Sequence, residues 1–182
     1  WSGEESGLLG STYFVESLSP EESLKIRAYL NFDMIASPNY VHQIYDGDGS
    51  AYGLTGPDGS DDIEEFFEKY FVRAGVPSNA TEFNGRSDYG PFLDANIPAG
   101  GTTTGADEVK TEEEQKIWGG VAGEILDQNY HQAGDTVDNL EQDAWLLHAR
   151  GIAAAVAKYA TSWEGFPTRS PVSNTTTKRS VS

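Results

Sequence analysis

An α/β sandwich with its chemistry at one edge of the sheet is the fold class that the sequence predicts, on three observations. Strand-like and helix-like stretches alternate along the chain. Ala28, Leu30, Phe32 and Met34 alternate with Tyr29, Asn31 and Asp33, the period of a half-buried strand that ends on an acid. Ile63, Phe66, Phe67, Tyr70, Phe71 and Ala74 recur at helical spacing, with Glu64, Glu65, Glu68 and Lys69 assigned to the opposite, solvated face.

The elements follow in order. Trp1 to Ser11 sets two adjacent acids, Glu4 and Glu5, between a Trp-led start and a Gly-rich apolar turn. Neighbouring residues on a turn or strand point in different directions, so one carboxylate can bind a metal while the other takes a proton from water. For a bare Glu-Glu pair, two solvated side chains at a helix start are the alternative. Gly7 to Val15 reads as a turn into a short buried helix. Ser19-Pro20-Glu21-Glu22 is a helix start, with Ser19 as cap and Glu22 closing a capping box. Asp33 ends a strand expected to be central, where a carboxylate needs a partner; capping of the next turn is the competing reading. Tyr40 to Tyr45 is a second strand, and its His42 is taken as structural. Asp46-Gly47-Asp48-Gly49-Ser50 resembles half of a calcium loop but lacks the later acid, so it is read as a turn.

Asp61 to Ala74 is the clearest helix, stopped by Gly75 and Pro77. Asn79-Ala80-Thr81 and Asn174-Thr175-Thr176 are acceptor triplets for glycosylation at Asn79 and Asn174. Asn84 to Phe92 is a polar, Gly-rich loop carrying Arg86, and a short helix is expected over 93–97. Small residues then run to Gly105, permitting close backbone approach to a ligand. Thr111 to Glu114 is a second capping box. His131 lies in a loop between Tyr130 and Asp135, where a lone imidazole is ordinarily structural or at the surface. A long helix is expected over 138–162, with Ala144, Leu147, His148, Ile152, Ala155, Val156 and Tyr159 on its apolar face. One domain over residues 1–166 is followed by a polar tail, 167–182, with too little apolar surface to order itself.

The 182 residues, 37% hydrophobic and 12% aromatic, suffice for one packed core. A net charge of -17 excludes nucleic acid and anionic membrane as partners, because both repel an acidic surface. No cysteine is present, which removes disulfides and thiolate chemistry. No apolar run approaches the roughly 20 residues of a membrane span. The chain opens without Met directly on its first motif, and is read as a piece of a longer chain whose targeting segment would lie upstream.

Glu5, Asp33 and His131 together would be a mixed oxygen and nitrogen set suited to zinc, with manganese or cobalt as possible substitutes. Spacing alone leaves that set open. Four stretches in register carry a resemblance: residues 1–11, then Asn31-Phe32-Asp33-Met34, then Gly85 to Phe92, then Tyr130-His131 with Asp135-Thr136. From residue 1 to about 160 the chain resembles the dizinc aminopeptidases, in particular the secreted bacterial enzymes and the fungal leucine and vacuolar aminopeptidase Y-like enzymes.

The resemblance implies a mixed β-sheet sandwiched between helices, with the N-terminal part of the sheet outside this chain. It implies two zinc ions per complete site, with Glu5 and His131 on one and Asp33 on the other. Glu4 is implied as general base, and Tyr130 as hydrogen-bond donor to the developing oxyanion. Arg86 would help hold the substrate, while Met34, Thr103 and the rest of the 100–105 stretch would line the pocket for an apolar, Leu-like N-terminal side chain. Where some relatives bracket the Tyr-His pair with cysteines, this chain has Asn129 and Gly134. The family's remaining ligands, a His and a bridging Asp, lie upstream of the double-Glu motif, so the upstream part of the chain is needed to complete the site. The expected partners are peptide substrates, and the expected location is secreted or vacuolar. Taken alone, the chain is expected to be inactive and to bind at most one zinc weakly. A single-zinc acyltransferase resembling glutaminyl cyclase, or a non-catalytic relative of the same fold, is the alternative.

Overall fold

The computed structural model describes residues 1–170. After a turn of 3-10 helix at Glu4–Ser6 come α1 (Leu9–Ser17), α2 (Pro20–Lys25), β1 (Tyr29–Phe32), β2 (Gln43–Tyr45), α3 (Ser60–Ala74), β3 (Asn79–Thr81), α4 (Tyr89–Asp94), β4 (Ala99–Thr103), α5 (Glu112–Trp118) and α6 (Gln142–Thr161). The strands form one sheet in the order β1-β4-β2-β3. β1 runs parallel to β4 and β2 parallel to β3, while β2 and β4 are antiparallel, so the sheet is mixed.

Both faces are covered, as a sandwich requires. Ile44 and the half-buried Leu30 and Phe32 face one way, onto Ile63, Phe67 and Phe71 of α3 and Ala155 and Tyr159 of α6. Their neighbours Tyr45 and Tyr29 face the other way, onto Tyr89 and Leu93 of α4. This is the period-two alternation of a pleated strand. The stripe on α3 is core from Ile63 to Phe71, while Ala74 at its end is exposed, and Gly75 closes that helix in the left-handed region at φ 71°. Both capping boxes form: Ser19 with Glu22, and Thr111 with Glu114.

Among the described residues β1 stands at the edge of the sheet, beside β4. Several expectations are corrected. The helix α1 is not buried: Tyr13 is 76% exposed, because Phe14 makes the inward contact, packing on Trp1 and Phe92. β2 is three residues long, since the carbonyls of Asn39 and Tyr40 are taken by the buried ammonium of Lys110, at 3.4 and 2.8 Å, instead of by a neighbouring strand. The helix expected at 93–97 begins at Tyr89; Pro91 falls in its first turn, where a missing N–H breaks no helical bond. On α6, Val156 is 53% exposed and Gly151 is buried in its place, close against the Tyr70 ring. Glu64 does not join the solvated face of α3 but is 7% exposed beneath the loop that follows β2.

His42 and His148 are structural, as read. His42 Nδ1 lies 3.0 Å from His148 Nε2, and His148 Nδ1 lies 2.8 Å from Thr102 Oγ1, all three buried. Beyond α6, Phe166 is buried and Arg27 donates to the Phe166 and Pro167 carbonyls. Arg169 donates to the carbonyls of Ser23, Ile26 and Asn96, so the first residues of the expected tail are tied to the body. Residues 171–182, Asn174 among them, lie outside the described residues. No described helix is long and apolar enough to cross a membrane.

Candidate active site

The double-Glu turn, the end of β1, the segment before α4, the end of β4 and the Tyr130 loop converge on one pocket. Glu4, Glu5, Asp33, Met34, Arg86, Thr103 and Tyr130 all line it. His131 joins through Glu5: its Nε2 stands 2.6 Å from Glu5 Oε2. The fold explains this convergence. The 3-10 turn holds Glu4 and Glu5 in consecutive positions, with Leu8 and Leu9 amides closing back on the Glu4 and Gly3 carbonyls. Asp33 follows the last paired residue of β1, where the ladder releases the chain.

The carboxylates are held differently. Asp33 Oδ2 accepts a 2.6 Å hydrogen bond from Ser87 Oγ, which in turn accepts from Asn31 Nδ2 at 3.0 Å. Asp88, next to Ser87, is buried; its Oδ2 lies 2.6 Å from the backbone nitrogen of Trp1, while its Oδ1 has no partner. Burial pushes the Glu4 carboxyl above its usual range, and the negative charges of Asp33, Glu5 and Asp88 push it in the same direction. An acid tuned upward in this way holds a proton more readily than a free carboxyl, the direction that a proton-transferring group needs.

Tyr130 stacks on His131 with ring centroids 3.9 Å apart, and His131 occupies the left-handed region at φ 56°. Polar groups brace the loop, and a Cβ on Gly134 would fall 2.0 Å from Asn129 Oδ1. Asn129 Nδ2 donates to Asn139 Oδ1 at 2.6 Å, and Asn139 Nδ2 to Asp127 Oδ1 at 2.9 Å. Burial raises the Tyr130 phenol, and the neighbouring Arg86 guanidinium pulls it partly back. Arg86 is itself held by a two-point contact to Asp107, at 2.8 and 3.1 Å.

Met34 and Thr103 line the pocket, but most of the 100–105 stretch does not. A Cβ on Gly100 would meet Ile63 Cγ2 at 2.5 Å, and one on Gly101 would meet the Asn31 carbonyl oxygen at 1.9 Å. Those glycines permit close packing of β4 against α3 and β1, and only Thr103 and Gly105 reach the pocket. Ser87, Asp107, Tyr45 and Glu108 are site residues that the sequence reading missed. Ser87 and Asp107 act on other side chains across tens of residues, and no local pattern marks that. Asn79 has an exposed side chain on β3, away from the pocket lining.

The donor set fits a cation. Glu5 and His131 offer an oxygen and a nitrogen in direct contact, and Asp33 offers an oxygen from across the pocket, the mixture that zinc accepts. Asp33 does not close into one compact three-atom group with Glu5 and His131.

The comparisons with known proteins agree with this geometry. The chain is 58% identical over 169 residues to leucine aminopeptidase 2 of Arthroderma otae, covering 93% of this chain and 34% of that protein. It is 56% identical to the probable leucine aminopeptidase 2 of Aspergillus fumigatus, with the same coverages. The chain thus spans about a third of the length of the curated relatives it matches. Among solved structures, BSAP, a zinc aminopeptidase from Bacillus subtilis, superposes with a TM-score of 0.62 at 21% identity, covering 91% of this chain and 35% of that one. The LapA aminopeptidase of Legionella pneumophila superposes with a TM-score of 0.56 at 21% identity, covering 85% and 36%. At these identities the likeness carries the fold. The model of peptidase family M28 matches residues 1–156, and with the Glu4-Glu5, Asp33 and Tyr130-His131 groups gathered in one pocket, the chain belongs to that family.

Proposed function

We propose that the full-length protein is a zinc aminopeptidase that hydrolyses N-terminal, apolar residues from peptides. The observation that carries the reading is the contact of Glu5 Oε2 with His131 Nε2 at 2.6 Å, beside Glu4 and across the pocket from Asp33. Glu5 and His131 would hold one zinc and Asp33 a second. The remaining ligands would come from residues outside this chain, a reading supported by its covering a third of its relatives. Bound there, zinc would supply Lewis acidity to the scissile carbonyl and to the attacking water.

This chain's residues do the rest. Glu4 takes a proton from the attacking water on its carboxylate and returns it to the departing amine, a task its raised affinity for protons suits. Tyr130 points its hydroxyl at the oxygen where negative charge develops, with the Arg86 cation behind it. Glu82 and Glu108, also in the pocket lining, add to a negative field that favours a substrate with a free, positively charged amino group. Met34 and Thr103 border the space for the first side chain.

The test is release of leucine from leucine anilides by the full-length protein, with zinc counted by mass spectrometry. Glu4→Gln should lower kcat by about 10²–10⁴-fold with zinc content unchanged. Unchanged turnover in that variant, or one zinc per chain with closure of N-terminal Gln to pyroglutamate, would overturn the reading. We further propose, from the exposed acceptor at Asn79, that the protein is secreted or vacuolar. A glycosidase-sensitive mass lost in Asn79→Gln checks that.

A further inference from the structure

The acids that follow β2 form a second polar centre, none of them in the lining of the Glu4–Glu5 pocket. One carboxylate oxygen each from Asp46, Asp48 and Glu64 lie within 4.8 Å of one another. Asp46 is 1% exposed. Its Oδ2 accepts the amides of Ala51 and Tyr52, at 3.2 and 2.8 Å, whereas its Oδ1 is buried with no hydrogen-bond partner. Glu64 reaches in from α3, and its Oε2 accepts the amides of Gly47 and Asp48 at 2.7 and 3.0 Å. Asp48 stands at the exposed rim, with Oδ1 on the Ser50 amide at 2.7 Å.

Three carboxylates gathered this closely repel one another, and a buried carboxylate oxygen without a donor leaves its desolvation uncompensated. Among the described residues, no Lys, Arg or His forms an ion pair with any of the three. The adjoining hollow makes the imbalance larger, since Asp48, Asp61, Asp62, Glu64, Glu65 and Glu68 line it. A cation would balance this arrangement, and the hollow offers an entry of the right sign.

We propose that Asp46, Asp48 and Glu64 form a calcium site that fastens the loop after β2 to the start of α3. All the donors are oxygens, the choice of a hard cation and not of zinc. Two oxygens about 2.3–2.6 Å from one Ca²⁺ can stand up to about 5 Å apart, so three oxygens within 4.8 Å of one another can share one ion, and Ca²⁺ accepts the irregular geometry that Mg²⁺ does not. The spacing of Asp46 and Asp48 is that of the first two ligands of a calcium loop, and the acid such a loop carries later in sequence is supplied here by Glu64 of α3. Backbone carbonyls and water would complete the shell. Because Tyr45, next to Asp46, lines the active-site pocket, the ion would also stiffen one wall of that pocket.

The experiment is calorimetric titration of the full-length protein, passed over a chelating resin and then resupplied with zinc, with Ca²⁺ and in parallel with Mg²⁺. One Ca²⁺ per chain is expected with a Kd of about 1 mM or below, together with a Ca²⁺-dependent rise in Tm. Asp48→Asn keeps the acceptor for the Ser50 amide at an exposed position, so it preserves the fold. It should weaken Ca²⁺ binding by about 10-fold or more, and Glu64→Gln should abolish it. No Ca²⁺ binding by the wild-type protein up to about 10 mM, Ca²⁺ binding by Asp48→Asn equal to wild type, or Mg²⁺ binding as tight as Ca²⁺ would each overturn the proposal.

Discussion

His42 Nδ1 and His148 Nε2 face each other at 3.0 Å inside the core, and two imidazoles so placed can share a proton but cannot both be charged. Burial lowers both, His42 to about 4 and His148 to about 3, with Lys110 adding to the first shift and His42 to the second. Both folded values lie below the unfolded value near 6.5, so between them the unfolded chain binds more protons than the native one. Stability from this pair is therefore complete above about pH 6.5 and is lost as pH falls through about 4 toward 3. Melting temperature followed across that window should decline, and the decline should be shallower in the His42→Gln, His148→Gln double variant. An identical slope in the two proteins would remove the histidines from the account.

Gly101 is paired with Asn31 across β1 and β4 with φ 151°, and a Cβ there would fall 1.9 Å from the Asn31 carbonyl oxygen. Neither strand can yield without breaking the ladder that ends just before Asp33. Gly101→Ala should lower the urea midpoint by an amount equivalent to about 3 kcal/mol or more, with activity falling in step with the folded fraction. A neutral midpoint would mean that β4 shifts freely.

What could be read from the sequence was local, or was carried by a motif. The capping boxes at Ser19 and Thr111 and the stripe from Ile63 to Phe71 formed as read, because each is settled within one or two helical turns. That Glu5 and His131 would meet was legible only because their stretches resemble a family pattern in order; the fold of the 125 intervening residues that brings them together leaves no local mark. Glu64 was misplaced for the complementary reason. Helical spacing assigns a residue to a face, but a loop from elsewhere decides whether that face sees water, and the amides of Gly47 and Asp48 cover this one. Val156 shows the reverse, an apolar residue of the stripe with nothing folded over it.

Ser87 orients Asp33 through a 2.6 Å hydrogen bond, and Asn31 Nδ2 fixes Ser87 in turn. A carboxylate that binds metal loses direction when such a support is removed. Ser87→Ala should weaken zinc retention against a competing chelator by about 10–100-fold, while a vacant Asn31 donor costs about 1–3 kcal/mol of stability. Ser87→Thr, which keeps the hydroxyl, should restore most of both. Zinc retention equal to wild type in Ser87→Ala would show that Asp33 needs no such support.

Tyr130 couples two jobs that one substitution can separate. Its ring stacks on His131 at 3.9 Å and so helps set that imidazole against Glu5, while its hydroxyl lies beside the Arg86 guanidinium. Tyr130→Phe keeps the ring and the stack, so His131 and its zinc should remain and Tm should hold within about 1 kcal/mol of wild-type stability. On the proposed mechanism only the donor to the developing oxyanion is lost, an interaction that would strengthen in the transition state. The loss should therefore appear in kcat, by about 10²–10³-fold, with KM nearly unchanged. Arg86 tests the same point from behind the hydroxyl. With Asp107 still in place at 2.8 Å to hold it, Arg86→Lys keeps the charge but loses the two-point contact, and should lower kcat by less than Tyr130→Phe does. If Tyr130→Phe instead raised KM and left kcat intact, the hydroxyl would be binding substrate in its ground state, and the oxyanion role assigned to Tyr130 would fall.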